Sequence, residues 1–72
     1  MRDVAIRGDT IRLGQLLKLA GVVGAGGELK AYLADSPVQV NGEAEARRGR
    51  QLHPGDVVAA GDELLRVVAA DR

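Results

Sequence analysis

Arg47, Arg48 and Arg50 put three guanidinium groups within four residues, and like charges packed that closely repel one another unless an anion lies near. The guanidinium fork matches the oxygens of a phosphate, so the chemistry expected of this segment is phosphate contact, not bond making. Most surface arginines are simply solvated, but the clustering here favours a ligand. Glu43 and Glu45 stand just upstream, placed to neutralise part of that charge in the free protein. Gly26-Gly27 is the second candidate. At the entry to a helix, glycines leave backbone N–H groups unobstructed beside the positive end of the dipole, which suits an anion. The plainer role of such a pair is a tight interhelix turn. It is not a nucleotide-binding loop: a Walker-type loop ends in Gly-Lys-Ser/Thr, and a dinucleotide fingerprint needs a third glycine where this chain has Leu29.

Lys30, one turn into that helix, adds charge to the same contact. Arg12 and Lys18 flank it, or lay their stems over apolar surface. Asn41 is a secondary contact, because Asn-Gly is what a type I′ turn requires whatever the function. Catalysis finds little support. His53 is the single histidine, set in a Pro-Gly turn without an evident nucleophile or a metal-ligating partner one helical turn away. Asp56, Asp62 and Glu63 fall at turns, where carboxylates are normally solvated. Neither enzyme activity, nor a cofactor, nor a metal site is expected.

These side chains need elements to hold them. Val4-Ala5-Ile6 reads as a short first strand, closed by Arg7-Gly8-Asp9. Leu13, Leu16, Leu17 and Ala20 then recur at helical spacing, with Leu19 widening the stripe and Gly21 ending the helix in the left-handed conformation. A second helix is expected from Glu28 to about Asp35, with Leu29, Tyr32 and Leu33 facing the core and Lys30 facing away. Ser36-Pro37 breaks it. From Val38 the period changes to two. Val38-Gln39-Val40, the Asn41-Gly42 turn and Glu43 read as a hairpin. His53-Pro54-Gly55-Asp56 is a further turn, and Val57-Val58 and the run from Leu64 to Val68 are later strands separated by Gly61-Asp62. The expected class is α+β, with two short helices packed on a small mixed or antiparallel β-sheet.

Composition fits a binding module better than an enzyme. Seventy-two residues make one domain, and a chain of this size buries only about 60% of the surface it exposes when unfolded, leaving little room for a deep catalytic cavity. Hydrophobic residues at 46% and charged residues at 28% are globular values and exclude a disordered tail. With no cysteine, neither a disulfide nor a Cys-ligated zinc holds the fold, so aliphatic packing must. The start, Met1-Arg2-Asp3, lacks the apolar run of a signal peptide, and no stretch approaches the ~20 apolar residues of a membrane span, so a cytoplasmic location is the default expectation. Net charge is zero, yet residues 1 to 50 hold eight Lys or Arg against six Asp or Glu, while residues 51 to 72 hold two against four. The positive charge is concentrated, not absent.

Two short helices, a Val-x-Val-Asn-Gly hairpin, a basic segment and a Gly55-Asp56-Val57-Val58 step into a last strand resemble the S-four RNA-binding domain, first known from a small-subunit ribosomal protein. The chain is more similar still to the stand-alone bacterial form, the YbcJ-like group. Leu16-Leu17-Lys18-Leu19-Ala20-Gly21, Gly26-Gly27-Glu28-Leu29-Lys30, Val40-Asn41-Gly42 and Arg47-Arg48-Gly49-Arg50 occur in that order over nearly the whole chain. The resemblance implies the alpha-L-like fold and RNA binding through the paired helices and adjoining hairpin, without enzymatic activity. Two positions depart from the wider family: Gly26-Gly27 replaces a Ser-Arg pair before the second helix, and Gly14 replaces an acidic capping residue.

The reading that follows is a cytoplasmic, monomeric module for structured RNA, ribosomal or otherwise translation-associated. Arg47, Arg48, Arg50 and Lys30 are its phosphate contacts, Gly26 and Gly27 its backbone donors, and Arg12, Lys18 and Asn41 its flank. Tyr32 is the sole aromatic residue, so recognition by base stacking is disfavoured against backbone and shape contacts. The alternative is a protein-interaction adaptor that docks an acidic partner on the same basic loop. No membrane and no small-molecule substrate is expected.

Overall fold

Alternate burial of valine and leucine builds the sheet, and the leucines of two short helices cover one of its faces. The computed structural model describes residues 1–24 and 28–70. Along the chain run β1 (Arg2–Ile6), β2 (Ile11–Arg12), α1 (Leu13–Leu19), α2 (Glu28–Asp35), β3 (Val38–Val40), β4 (Glu43–Glu45), β5 (Gln51–Leu52), β6 (Val57–Ala60) and β7 (Glu63–Ala69). Five strands form a mixed sheet in the order β1-β7-β6-β3-β4, in which β1 runs parallel to β7 and the other neighbours are antiparallel. β2 and β5 make a separate antiparallel ribbon, Ile11 opposite Leu52 and Arg12 opposite Gln51.

Period-two alternation turns Val4 and Ile6, Val38 and Val40, Val58 and Ala60, and Leu65 and Val67 onto one sheet face, where all are buried. Leu13, Leu16, Leu17 and Ala20 from the first helical segment and Leu29 and Leu33 from α2 complete one continuous apolar cluster. This is the expected α+β arrangement. The hairpin turn is as its residues require: Asn41 (φ 52°) and Gly42 (φ 88°) both take the left-handed conformation of a type I′ turn. Gly21, at φ 77°, ends α1 just after the Ala20 cap.

Two expectations need correction, and one pair of strands has no counterpart in the sequence pattern. Leu19 does not widen the apolar stripe of α1: it is 58% exposed, because its position on the helix points away from the sheet. β1 begins at Arg2, not Val4, because β7 recruits polar residues into its ladder, pairing Arg2 with Leu65 and Asp3 with Arg66. Those residues are then held from the sides: Arg66 meets Asp3 at 3.0 Å, and Arg2 reaches both Glu63 at 3.0 Å and the Ala20 carbonyl at the end of α1 at 2.7 Å. The β2–β5 ribbon also lies outside the sequence expectation, since two-residue strands carry no periodicity to detect. Tyr32 is half-buried against the core, as expected. No helix among the described residues is long and apolar enough to cross a membrane.

Candidate nucleic-acid interface

The first N–H groups of a helix have no partner within it, and here α1 gives two of them to the arginine loop. Leu13 N–H donates to the Arg50 carbonyl at 2.8 Å, and Gly14 N–H donates to the Arg48 carbonyl at 2.9 Å. Arg50 N–H closes the loop on the Arg47 carbonyl at 3.2 Å. The approach depends on glycine. A Cβ on Gly14 would stand 2.6 Å from Leu29 Cδ2 and within 3.4 Å of Arg48 Cβ and carbonyl oxygen, so this position lets α2, α1 and the loop meet. The helix starts directly after the β2–β5 ribbon, with Gln15 Oε1 accepting from Arg12 N–H at 3.3 Å.

The anion that three clustered arginines demand is supplied from within. Hairpin register sets Glu45 opposite buried Val38, on the core side of β4, and the carboxylate is only 6% exposed. Arg47 binds it sideways, Nε to Oε2 at 3.0 Å and Nη2 to Oε1 at 3.1 Å, with Arg47 N–H adding a bond of 3.0 Å to Oε2. Arg50 Nη1 completes the set at 2.9 Å from Oε1. Hydrogen bonds from Arg47 first, then Arg50, hold this carboxyl well below the usual carboxylate range. Glu43 has no ion-pair role among the described residues.

Arg48 differs from its neighbours. Its backbone is fixed on α1, yet its side chain is exposed and makes no hydrogen bond or ion pair among the described residues. It lies where two shallow grooves meet. One is lined by Arg12, Lys18 and Arg48 over Gly14, Gln15 and Leu29; the other by Lys30 and Arg48 over Leu33, Ala34 and Ala46. At about 270 and 240 Å³ these grooves are smaller than the ~300–1,000 Å³ typical of small-molecule sites. They offer a row of cations, not an enclosure.

The structure thus brings Arg12, Lys18, Lys30 and Arg48 together, with Arg47 and Arg50 on the same loop tied to Glu45. Gly26 and Gly27 lie outside the described residues. Asn41 lines neither groove: its Oδ1 accepts from Val57 N–H at 2.9 Å and its Nδ2 donates to Asp56 Oδ1 at 3.1 Å, joining the hairpin tip to the start of β6. Asp56 also accepts from His53 N–H at 2.8 Å. Burial alone would raise the Asp56 pKa, but the His53 and Asn41 bonds outweigh it and set the carboxyl below its ordinary value. Among the described residues, no group of three or more His, Cys, Asp or Glu could hold a metal ion.

Sequence reasoning missed the central position of Glu45 and the need for Gly14. A signal for the first was available: with Asn41-Gly42 as a two-residue turn, Glu45 pairs with Val38 and must share its buried face. Nothing local marks Gly14, whose role depends on α2 and the loop together.

The sequence that builds this fold of two helices on a mixed sheet matches a known family. A family model described as the S4 domain matches residues 4–68, from within β1 almost to the end of β7. The chain belongs to the S4-domain family. It is also similar to the probable ribosome maturation protein RlbA of Bacillus subtilis (strain 168), with 49% identity over 55 residues, covering 76% of this chain and 78% of that protein.

Proposed function

We propose that this chain is a non-enzymatic RNA-binding module, acting as a single monomeric unit in the cytoplasm, that grips structured RNA of the ribosome or of translation by backbone and shape contacts. The observation that carries the reading is the convergence of Arg12, Lys18, Lys30 and Arg48 on two grooves that share Arg48. Spaced cations on a rigid surface match successive phosphates, and binding of this kind is governed by counterion release. Base stacking is poorly served, because Tyr32 packs against the core and the chain has no Phe or Trp. Membership of the S4-domain family supports RNA as the ligand, and the ribosome-maturation name of the similar protein supports ribosomal RNA as the class to test first.

The test is a titration of the full chain against purified ribosomal RNA over a salt series, for the parent and for a Lys18→Ala, Lys30→Ala double variant. The double variant should bind more weakly and lower the slope of log K against log salt by about one to two units. Salt-independent binding, or a slope unmoved by the double variant with its fold intact, removes this face from the interaction. Absence of RNA binding in the parent returns the basic loop to an acidic protein partner.

A further inference from the structure

The unequal treatment of the three loop arginines has a use at this same site. Glu45 accepts four hydrogen bonds, three from Arg47 and one from Arg50, which fill the acceptor capacity of a carboxylate. The edge of Arg47 so engaged, Nε with Nη2, is one of the two by which a guanidinium grips a phosphate two-handed. The outer Nη1 end stays in solvent, but Glu45 offsets the charge that would draw a phosphate to it. A phosphate taking the engaged edge must displace Glu45 and strip two of the four hydrogen bonds from a 6%-exposed carboxylate, which is costly for a buried charge. Arg48 carries no such obligation. It projects from a backbone fixed by α1, between the groove of Arg12 and Lys18 and the groove of Lys30.

We infer that Glu45 is the specificity-determining residue of this surface: by occupying Arg47 and Arg50 as an internal substitute for phosphate, it leaves Arg48 as the loop's phosphate-binding arginine. This rests on the RNA-binding reading above. Its consequence is selectivity. Three unpaired arginines on one loop would attract any polyanion, including flexible single strands that adapt to them. One unpaired arginine on a backbone anchored to α1, between two cationic grooves, favours RNA whose phosphates are already held at matching positions, as in a folded helix. The carboxylate thereby lowers affinity for all RNA and lowers it most for RNA without structure.

The test uses the full chain in four forms, the parent, Glu45→Gln, Arg47→Ala and Arg48→Ala, with two probes, polyuridine and a fully paired RNA hairpin, over a salt series. Circular dichroism checks folding. Glu45→Gln keeps the size of the side chain, removes its charge and releases the arginines. Its slope on polyuridine should steepen by about 0.7 for each arginine released, and the preference for the hairpin should narrow. Arg48→Ala should lower the slope on the hairpin by about one phosphate's worth, while Arg47→Ala should change it distinctly less. The arginine comparison does not depend on Glu45→Gln and stands if that variant folds poorly; Arg47→Ala leaves Glu45 its bonds from Arg50 and from the residue 47 N–H, and its circular dichroism is the control. Equal losses of slope for Arg47→Ala and Arg48→Ala overturn the inference, as does a folded Glu45→Gln that binds polyuridine no better than the parent. If the parent binds neither probe in a salt-dependent way, the RNA-binding reading itself falls, and the inference with it.

Discussion

Two polar loops follow one another along this chain, the hairpin tip at Asn41-Gly42 and the arginine loop from Ala46 to Arg50. Both are exposed and both carry side chains able to contact RNA, yet the structure treats them oppositely. At the hairpin tip the backbone conformation is a local property of Asn and Gly, and both polar atoms of Asn41 are engaged by Val57 and Asp56. In the arginine loop the backbone is held by a distant helix through Leu13 and Gly14, and Glu45 engages two of the three guanidinium groups. One side chain, Arg48, is left over. The proposed binding surface is the loop whose backbone the fold anchors and whose Arg48 donors stay unclaimed; at the hairpin tip both polar atoms of the Asn41 amide serve the structure.

The largest expected effect tests the supports beneath the two loops. Leu17→Ala, at a fully buried position of α1, should cost about 2–5 kcal/mol, a large share of the stability of a small domain, and lower the melting temperature accordingly. Because α1 holds the arginine loop while β6 holds the hairpin tip, hydrogen exchange should quicken at the Leu13 and Gly14 amides more than at Asn41 N–H, which donates to the Val57 carbonyl at 2.8 Å. Equal acceleration at all three amides would mean that the loops share one support. An unchanged melt would place Leu17 outside the core.

A smaller effect separates the loops by role. Asn41→Ala loses two side-chain hydrogen bonds and a residue suited to φ 52°, so a loss of about 1–3 kcal/mol in thermal or denaturant unfolding is expected, with RNA affinity per folded molecule kept. Arg48→Ala should show the reverse, an unchanged melt and weaker RNA binding. A fall in affinity for Asn41→Ala at full folding would make the hairpin tip part of the interface and erase the contrast.

The smallest effect lies in acid. Glu45 has its folded pKa depressed, so its contribution to stability is present above the unfolded carboxylate value, about 4.3, and drains as pH falls from there toward the folded value. From neutral pH down to about pH 5 its contribution is fully in place. Below about pH 5 the parent should lose melting temperature more steeply than Glu45→Gln, which has no such group to protonate. Parallel acid limbs would assign the titration to other carboxylates, Asp56 among them.

Much of the scaffold is legible in the residues themselves. The spacing of Leu13, Leu16, Leu17 and Ala20 gives the buried side of α1, Ser36-Pro37 marks the end of α2, and Val38 to Val40 around Asn41-Gly42 gives a hairpin that the structure reproduces. Leu19 misled because an apolar side chain beside a helical stripe looks like part of it, and only the packed sheet shows which side is covered. The parallel pairing of β1 with β7 joins the two ends of the sequence, and no local pattern encodes a partner that far away. The cations Arg12, Lys18, Lys30 and Arg48 are visible one by one, but their shared grooves arise only when α1, α2 and the loop are packed together.

By itself, the sequence determined both helices and the main strands, the class of fold, the left-handed turn at Asn41-Gly42 and the presence of a concentrated positive charge. These follow from side-chain period, backbone sterics and composition, all of which act within a few residues. The tertiary structure alone decided which of those charges face outward unpaired. Hydrophobic burial sets the register that turns Glu45 inward beside Val38, and a carboxylate held there draws Arg47 and Arg50 to itself. Gly14 lets the loop settle on α1, and so fixes where Arg48 stands.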